Sequence, residues 1–380
     1  MPTGVDRVEL AYLDWFLRDT SINVFGLSRT ALGLVLLDRT GLEAFAAAWR
    51  SRRFDLPDVL SRLNRNLSPA ARRGQTFVRW RAVGRCRPRG LARMLRRVPG
   101  PMTYFNVGHS NLSAALLRTI SSHPGARIAV LIHDTIPLDF PAQQRAGTVP
   151  RFRKLLTASV NHADVLICST DACAADLLRH TCRTACGPNI VVAPLGVEPP
   201  VPAPEEIPPG LMPLRPYFMT VGTIEPRKNH AMLLDIWDDL GSGAPELLIC
   251  GRRGWLNHDV FARLDAGIPH VTEANDLSDG AIAALLQGSQ GLLFPSMAEG
   301  YGLPPIEAAA LGVPVICADL PACREVMKDW PVYLKHTDRY NWEIEIKTLV
   351  RHSPYSRNEQ RDVPTWDAHF DKMLTALVDD

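Results

Sequence analysis

The stretch FPSMAEGYGLPPIEAAALGVP, residues 294–314, decides the fold class of this chain. The apolar run that ends at Phe294 is typical of a buried strand, a glycine-rich turn follows it, and the prolines after Leu303 open a helix. Free backbone N–H groups at such a helix start form a site for an anion or a hydroxyl group. Glu299 in the turn and Glu307 in the helix can point into one cleft, where carboxylates accept hydrogen bonds from sugar hydroxyls. Taken alone, Glu307 is also explained by a favourable interaction with the helix dipole.

A second segment of the same kind is YFMTVGTIEPRKNH, residues 217–230. It predicts a buried strand, a turn at Gly222, and a helix that begins after Asn229. The turn brings Arg227 and Lys228 to the end of the strand. A planar guanidinium beside a compact ammonium suits a diphosphate, although an adjacent Arg and Lys are more often a solvated surface pair.

Short apolar runs alternate with helical patterns along the rest of the chain, which predicts parallel sheets covered on both faces. Further strands are predicted at residues 102–105, 127–133, 164–168, 190–193, 247–250, 292–294 and 313–317. A proline-rich segment interrupts this alternation and marks a domain boundary. The predicted organisation is a first domain at residues 1–195, a linker at 196–216, a second domain at 217–363 and a last helix at 364–380. Ligands of open α/β sheets bind beyond the carboxyl ends of the strands.

Together, residues 222–230 and 295–314 closely resemble the retaining nucleotide-sugar glycosyltransferases of family 4, the group 1 glycosyltransferases. The likeness extends to residues 192–197 and 251–255 and covers most of the chain from Ile128 onward. It implies an α/β protein of the GT-B fold, in which two Rossmann-like domains with parallel sheets face a central cleft. It also implies transfer of a hexose from a nucleotide sugar, with retention of configuration, to a glycan or lipid-linked acceptor in surface polysaccharide or lipopolysaccharide assembly.

The resemblance assigns roles to particular residues. Arg227 and Lys228 would bind the donor diphosphate and stabilise the leaving group, and Glu307 would hold the donor ribose. Glu299 would contact hydroxyls of the transferred sugar, and His133 would face that sugar. The alternative for His133 is a strand-end histidine that holds a neighbouring loop. The implied catalytic residues are His133, Arg227, Lys228 and Glu299. The implied donor-binding residues are Gly4, Gly222, Arg227, Lys228, Glu299, Gly300, Tyr301, Gly302, Leu303 and Glu307.

Gly4 lies in TGVDR, residues 3–7, which resembles the loop between the first strand and the first helix of the family. That loop approaches the donor phosphates, and the family places a strand before it. The sequence begins at Met1, so either its start is placed too late or the first domain lacks this central strand, whose absence would leave the neighbouring strands unpaired. On the acceptor side, Asn106, His109 and Asp134 follow predicted strand ends. Hydrogen bonding within the loops explains Asn106 and His109 equally well.

The chain contains no Asp-x-Asp triplet. We therefore expect a metal-independent site in which Arg227 and Lys228 bind the diphosphate, with no cofactor besides the nucleotide-sugar donor. Residues 225–229 and 251–255 resemble the mannosyl-transferring branch of the family, so the expected donor is GDP-mannose, ahead of a UDP-sugar. The alternatives are an epimerase or a sugar phosphorylase on the same fold, or a non-catalytic sugar-nucleotide-binding protein.

The net charge of +2 over 380 residues excludes a uniformly basic nucleic-acid-binding protein, but it conceals a strong polarity. Residues 50–97 contain fifteen arginines, no lysine, and only Asp55 and Asp58 as acids, a balance of +13 that leaves −11 for the rest. Apolar residues such as Leu60 and Trp80 are interleaved with these arginines. This pattern is typical of amphipathic helices that lie on an anionic membrane. A solvated arginine-rich face is the equal alternative.

The sequence shows no signal peptide and no apolar run of the roughly 18 residues that a spanning helix needs. We therefore expect a cytoplasmic protein that is peripheral to the inner face of the cytoplasmic membrane through the Arg50 to Arg97 stretch.

Overall fold

A computed structural model describes residues 3–51, 53–64, 67–181, 187–351 and 362–378. The strands are Gly26–Thr30 (β1), Gly33–Leu37 (β2), Gly84–Cys86 (β3), Thr103–Asn106 (β4), Arg127–Ile132 (β5), Val165–Cys168 (β6), Asn189–Val192 (β7), Tyr217–Val221 (β8), Glu246–Cys250 (β9), Val271–Ala274 (β10), Gly291–Phe294 (β11), Val315–Ala318 (β12) and Val332–Leu334 (β13).

Helices connect these strands and cover the sheets. They are Gly4–Arg18 (α1), Arg39–Arg50 (α2), Val59–Leu63 (α3), Pro69–Trp80 (α4), Leu91–Leu95 (α5), Ala114–Ser121 (α6), Ile136–Asp139 (α7), Thr148–His162 (α8), Asp171–His180 (α9), His230–Leu240 (α10), His258–Ala266 (α11), Asp279–Gly288 (α12), Leu303–Ala310 (α13), Pro321–Met327 (α14), Arg339–Arg351 (α15) and Trp366–Val378 (α16).

Two parallel sheets organise the molecule. The first has the order β4-β5-β6-β7 and the second the order β10-β9-β8-β11-β12-β13. Every residue of β6, β8, β11 and β12 is buried, which explains why these strands are continuous apolar runs instead of alternating ones. The predicted α/β architecture with two parallel-sheet domains is thereby confirmed.

A small antiparallel sheet, β1-β2-β3, precedes the first parallel sheet and was not predicted. It packs with α2 and α4 around a core that includes Val35, Leu42 and Phe77. The hairpin between β1 and β2 depends on Gly33, which has φ +129°. A Cβ at this position would lie 2.3 Å from the carbonyl oxygen of Cys86.

The C-terminal helix α16 packs against β6 and β7 of the first sheet. Phe370 enters the core with Tyr12 of α1, and the Tyr12 hydroxyl lies 2.6 Å from Nε2 of His369. The segment before α16 is held by a hydrogen bond from the Val197 N–H to the Pro364 carbonyl at 2.9 Å. The last helix therefore ties the C-terminal part of the chain to the first domain.

The carboxyl ends of the two sheets meet across a closed cleft. The hydroxyls of Ser169 and Thr170 donate to the Gly300 carbonyl at 3.3 Å. The Glu325 carboxylate accepts from the N–H of Asp171, at the start of α9, at 2.7 Å. The indole N–H of Trp255 donates to the Gln143 carbonyl at 3.0 Å. These contacts bring the loops after β5, β6, β9 and β11 together.

Among the helices of the described residues, none has the length and apolar character needed to cross a membrane.

Candidate functional site

The centre of the cleft is an ion cluster formed by Arg227, Lys228 and Glu299. β8 ends in a turn where Gly222 has φ +145°, and a single helical turn at residues 226–228 presents the two cations. Glu299 comes from the turn after β11. Its Oε1 lies 2.6 Å from Nζ of Lys228, and its Oε2 lies 2.9 Å from Nη1 of Arg227. The two sequence segments that suggested the fold thus meet through a bridging carboxylate.

Burial disfavours each charge of this cluster, and the neighbouring opposite charges oppose that effect. Burial alone would raise the pKa of Glu299, but Arg227 and Lys228 hold this pKa at about 2. Burial lowers the pKa of Lys228 in spite of Glu299. For Arg227 the neighbouring carboxylates outweigh burial and raise the pKa. The two cations therefore form a preorganised anion site, which the Glu299 carboxylate fills in this structure.

Glu225 belongs to the same cluster, although it was absent from the predicted site. It is 3% exposed, and its Oε1 lies 2.8 Å from Nε of Arg227. Burial raises the pKa of this carboxyl, and Arg227 opposes the effect. The signal in the sequence was a carboxylate two residues before an arginine at a strand end, a spacing that lets the side chain fold back onto the guanidinium.

Glu307 lies on α13 and meets Arg7 of α1. Oε1 of Glu307 lies 2.5 Å from Nη2 of Arg7. Both residues line a cavity of about 370 Å³, together with Leu303, Asp279 and residues of α1 that include Trp15. Gly4 begins α1, and a Cβ added there would lie 3.4 Å from Cδ1 of Leu303. The N-terminal ends of α1 and α13 are therefore in contact at the edge of the cleft.

The glycine-rich turn at residues 300–303 fits tightly between the two domains. A Cβ on Gly300 would lie 2.1 Å from the carbonyl oxygen of His133, so only glycine allows this approach. Gly302 has φ +94°, in the left-handed region that favours glycine. The hydroxyl of Tyr301 donates to the Leu195 carbonyl at 2.5 Å and links the turn to the end of the first domain.

His133 lies half-buried directly after β5, and its Nε2 lies 2.6 Å from the Val107 carbonyl. Burial lowers the pKa of His133 to about 4, so the imidazole is neutral near pH 7. Its ring packs edge-on against His109 at 5.3 Å between centroids. Its Nε2 atom thus contacts the loop after β4. This contact is the one expected for a strand-end histidine that holds a neighbouring loop.

The three acceptor-side residues lie in different surroundings. Asp134 is half-buried and lies against Gly300, and its Oδ1 accepts from the Ile136 N–H at 3.0 Å. Burial raises the pKa of Asp134, and the charge of Arg227 opposes this rise, which places the carboxyl near the ion cluster. Asn106 and His109 instead bond within the first domain. The Asn106 amide donates to the Ser110 carbonyl at 2.7 Å, and Nε2 of His109 lies 2.8 Å from the Leu131 carbonyl.

Within the described part of the chain, no group of three or more His, Cys, Asp or Glu side chains is arranged to hold a metal ion.

Two segments of the chain match known protein families. Residues 209–351 match the model of the glycosyl transferases of group 1, and residues 107–186 match the glucosyltransferase 3-like N-terminal domain. The serotype-specific mannosyltransferase WbdA of Escherichia coli is 29% identical over 275 residues, which are 67% of this chain and 34% of that protein. The O-antigen chain mannosyltransferase RfbU of Salmonella typhimurium is 31% identical over 137 residues, 35% of this chain and 38% of that protein. The chain thus spans about a third of the length of these relatives.

Solved structures with the same fold are more distant in sequence. Anabaena Alr3699/HepE in complex with UDP-glucose has a TM-score of 0.62 at 12% identity, covering 100% of this chain and 95% of that chain. Sucrose-phosphate synthase from Thermosynechococcus elongatus has a TM-score of 0.55 at 15% identity, covering 76% of this chain and 75% of that chain. At sequence identities this low, these structures show only that the two-domain fold is shared.

Proposed function

We propose that the chain transfers a hexose from a nucleoside-diphosphate sugar to a glycan or lipid-linked acceptor, because it has the GT-B fold and its residues 209–351 match the model of the group 1 glycosyl transferases. One observation carries the proposal: Arg227 and Lys228 converge at the carboxyl end of β8 on a single bridging carboxylate, Glu299. Two cations held 2.9 Å and 2.6 Å from one anion fit a diphosphate in the place of that anion.

In the proposed complex, Arg227 and Lys228 bind the donor diphosphate. Glu299 turns from the cations to hydroxyls of the transferred sugar, and Glu307 binds the ribose. The cavity of about 370 Å³ beside Glu307 falls in the size range of ligand pockets. Fixed cations in a water-excluded cleft stabilise the charge that develops on the departing nucleoside diphosphate, which is the main catalytic contribution in this proposal.

We further propose that the reaction is metal-independent and retains the anomeric configuration. The acceptor hydroxyl attacks C1 on the face from which the diphosphate leaves, so a C–O bond to the acceptor forms as the C–O bond to phosphate breaks. The acceptor proton passes to the departing phosphate oxygen. Arg227 and Lys228 supply the positive charge that a divalent metal supplies in sites with Asp-x-Asp triplets.

The transferred hexose in this proposal is mannose, with GDP-mannose as the donor. Support comes from WbdA and RfbU, which are both mannosyltransferases. A third relative, the O-antigen chain mannosyltransferase B of Escherichia coli, is 24% identical over 268 residues. We propose that the acceptor is a growing surface polysaccharide, a class of glycan that includes the O-antigen.

Thermal stability with GDP and with UDP, followed by a screen of nucleotide sugars for donor hydrolysis, tests this proposal. We expect GDP to raise the Tm and GDP-mannose to be hydrolysed slowly to GDP and mannose. Conversion of the donor to another nucleotide sugar without acceptor would indicate an epimerase instead. A chain that binds neither nucleotide is not a glycosyltransferase.

We also propose that the first domain docks on an anionic membrane near a lipid-linked acceptor. In the structure both acids of the arginine-rich stretch are already paired, Asp55 with Arg81 and Asp58 with Arg79, each at 2.6 Å. The exposed arginines around them are Arg53, Arg62, Arg73, Arg85, Arg87, Arg89, Arg93, Arg96 and Arg97. Leu60 and Trp80 are 55% and 60% exposed on the same part of the domain. Exposed apolar side chains among arginines favour an anionic bilayer over a purely aqueous polyanion.

A further inference from the structure

Arg7 lies in the first domain, but its guanidinium reaches across the cleft to the second. The start of α1 is fixed by a capping box, in which the Thr3 hydroxyl accepts from the Asp6 N–H at 3.2 Å and the Asp6 carboxylate accepts from the Thr3 N–H at 2.7 Å. Arg7 follows directly. The first turn of α1 is therefore held in place, and Arg7 extends from it toward Glu307.

The partner of Arg7 is a deeply buried carboxylate. The side chain of Glu307 is 6% exposed, that of Arg7 is 28% exposed, and Nη2 lies 2.5 Å from Oε1. Burial raises the pKa of Glu307 and the charge of Asp279 adds to the rise, whereas the charge of Arg7 opposes it. A carboxylate at this depth stays ionised through its ion partner, because an unpaired buried charge is strongly unfavourable.

Both residues border the cavity of about 370 Å³ at the edge of the cleft. The Glu307 carboxylate contributes to the lining of this cavity, where Nη2 of Arg7 lies beside its Oε1 atom. Arg7 comes from α1 and Glu307 from α13, so the arrangement is complete only while the two domains are closed. No role was assigned to Arg7 from the sequence.

We propose that Arg7 is a positioning residue of the donor site: its guanidinium holds the Glu307 carboxylate ionised and oriented toward the hydroxyls of the donor ribose. This role rests on the proposed function, in which Glu307 binds the ribose. A hydrogen bond from a ribose hydroxyl to an ionised carboxylate is stronger than one to a neutral acid. Loss of Arg7 would leave Glu307 to take up a proton or to turn away from the ligand.

The test compares the affinities of wild type and Arg7→Gln for GDP and for 2′,3′-dideoxy-GDP by calorimetry. If the Tm measurements identify UDP as the ligand, the two uridine nucleotides are used in the same way. We expect wild type to prefer the ribonucleotide about tenfold, the size expected for hydrogen bonds to a charged group. Arg7→Gln should reduce this preference to near one and leave the affinity for the dideoxynucleotide unchanged. A merely structural role would weaken both ligands equally.

Two controls sharpen the comparison. Arg263→Gln removes ion pairs with Asp235 and Asp238 in the second domain, outside the cavity, and should keep the tenfold preference. The double variant R7Q/E307Q should have the same ratio as E307Q, because Arg7 acts through Glu307.

The outcomes separate the inference from the function on which it rests. Full ribose preference in Arg7→Gln, or an equal loss of affinity for both nucleotides, would overturn the role of Arg7. If the wild type binds both nucleotides equally, Glu307 does not bind the ribose, and the proposed role of Arg7 is wrong as well. A wild type that binds no nucleotide would refute the proposed function itself.

Discussion

At the scale of single residues, the cations of the ion cluster are the most direct test of the proposed chemistry. Lys228→Ala leaves Glu299 paired with Arg227, so it disturbs the fold less than Arg227→Ala, which also removes the partner of Glu225. We expect Lys228→Ala to lower the transfer rate by 10²- to 10³-fold, about 2.7–4 kcal/mol of transition-state stabilisation. Steady-state kinetics with the Tm measured alongside checks this.

Lys347→Ala is the matched control, because Lys347 forms an exposed ion pair with Glu343 on α15, away from the cleft. Its transfer rate should equal that of wild type. Near-wild-type turnover in Lys228→Ala would refute the assignment of Lys228 to the leaving group.

Glu299 provides a second residue-scale prediction, because its carboxylate competes with the diphosphate for the same two cations. Glu299→Gln keeps the side-chain volume and releases Arg227 and Lys228. We therefore expect tighter binding of GDP, severalfold by calorimetry, together with a lower transfer rate because the sugar hydroxyls lose a charged acceptor. Glu343→Gln is the control and should change neither quantity. Weaker binding of GDP in Glu299→Gln would show that Glu299 does not occupy the diphosphate position.

The candidate residues differ in how far the sequence could predict their surroundings. Arg227, Lys228 and Glu299 lie at strand ends, where the topology of a parallel sheet brings them together, so their proximity follows from local patterns. The contacts of Glu225 and Arg7 depend on side-chain direction and on domain closure, which no local pattern encodes. His133 shows the same limit, since its Nε2 bonds to the Val107 carbonyl from a preceding loop.

At the scale of elements, the turn after β11 controls how closely the domains approach. An alanine at Gly300 would place its Cβ 2.1 Å from the His133 carbonyl oxygen. We expect Gly300→Ala to hold the domains apart and to lower the transfer rate about 10²-fold, because small displacements of bound reactants are costly. Binding of GDP should weaken by about tenfold at most, since Arg227, Lys228 and Glu299 all belong to the second domain and only the Arg7–Glu307 contact to the donor site spans both domains.

Transfer kinetics and GDP calorimetry on the same preparation test this prediction. Gly243→Ala is the control, because a Cβ there meets no atom within 4 Å. Wild-type transfer by Gly300→Ala would mean that the contact between Gly300 and His133 is dispensable for catalysis.

The buried parallel strands and the edge strands β4 and β7 of the first sheet were predictable, whereas the edge strands of the second sheet were not. The predicted run at 217–221 coincides with β8 and most others differ from the structure by one or two residues, because full burial leaves a continuous apolar signature. β10 and β13 are edge strands with partly exposed residues, and they lack that signature. β1 has no continuous apolar run, since Ser28 is half-buried and Arg29 is exposed, and β3 has only three residues, so neither strand produced a recognisable pattern.

At the scale of the whole molecule, the excess positive charge of residues 50–97 lies entirely in the first domain. The two acids of the arginine-rich stretch pair internally with Arg79 and Arg81, so they do not neutralise the exposed arginines around them. No local sequence pattern identifies these pairs, because Asp58 and Arg79 meet through the packing of α3 on α4. The membrane proposal therefore depends on tertiary structure as well as on composition.

Flotation with vesicles that contain about a third anionic lipid tests membrane docking of the first domain. We expect binding to anionic vesicles that weakens as salt rises, and little binding to zwitterionic ones, because the Debye length falls with ionic strength. Arg93→Gln with Arg96→Gln should weaken binding by about 2 kcal/mol, roughly 30-fold, at about 1 kcal/mol for each arginine. Leu60→Ser should weaken it further by removing an apolar side chain that is 55% exposed.

Tyr340→Ser, at a residue of α15 that is 72% exposed, is the matched control on the second domain and should float like wild type. Since GDP affinity depends on the cleft alone, it should be equal in all these variants. Equal flotation with anionic and zwitterionic vesicles, or binding that salt does not change, would show that the arginine-rich stretch is a solvated face.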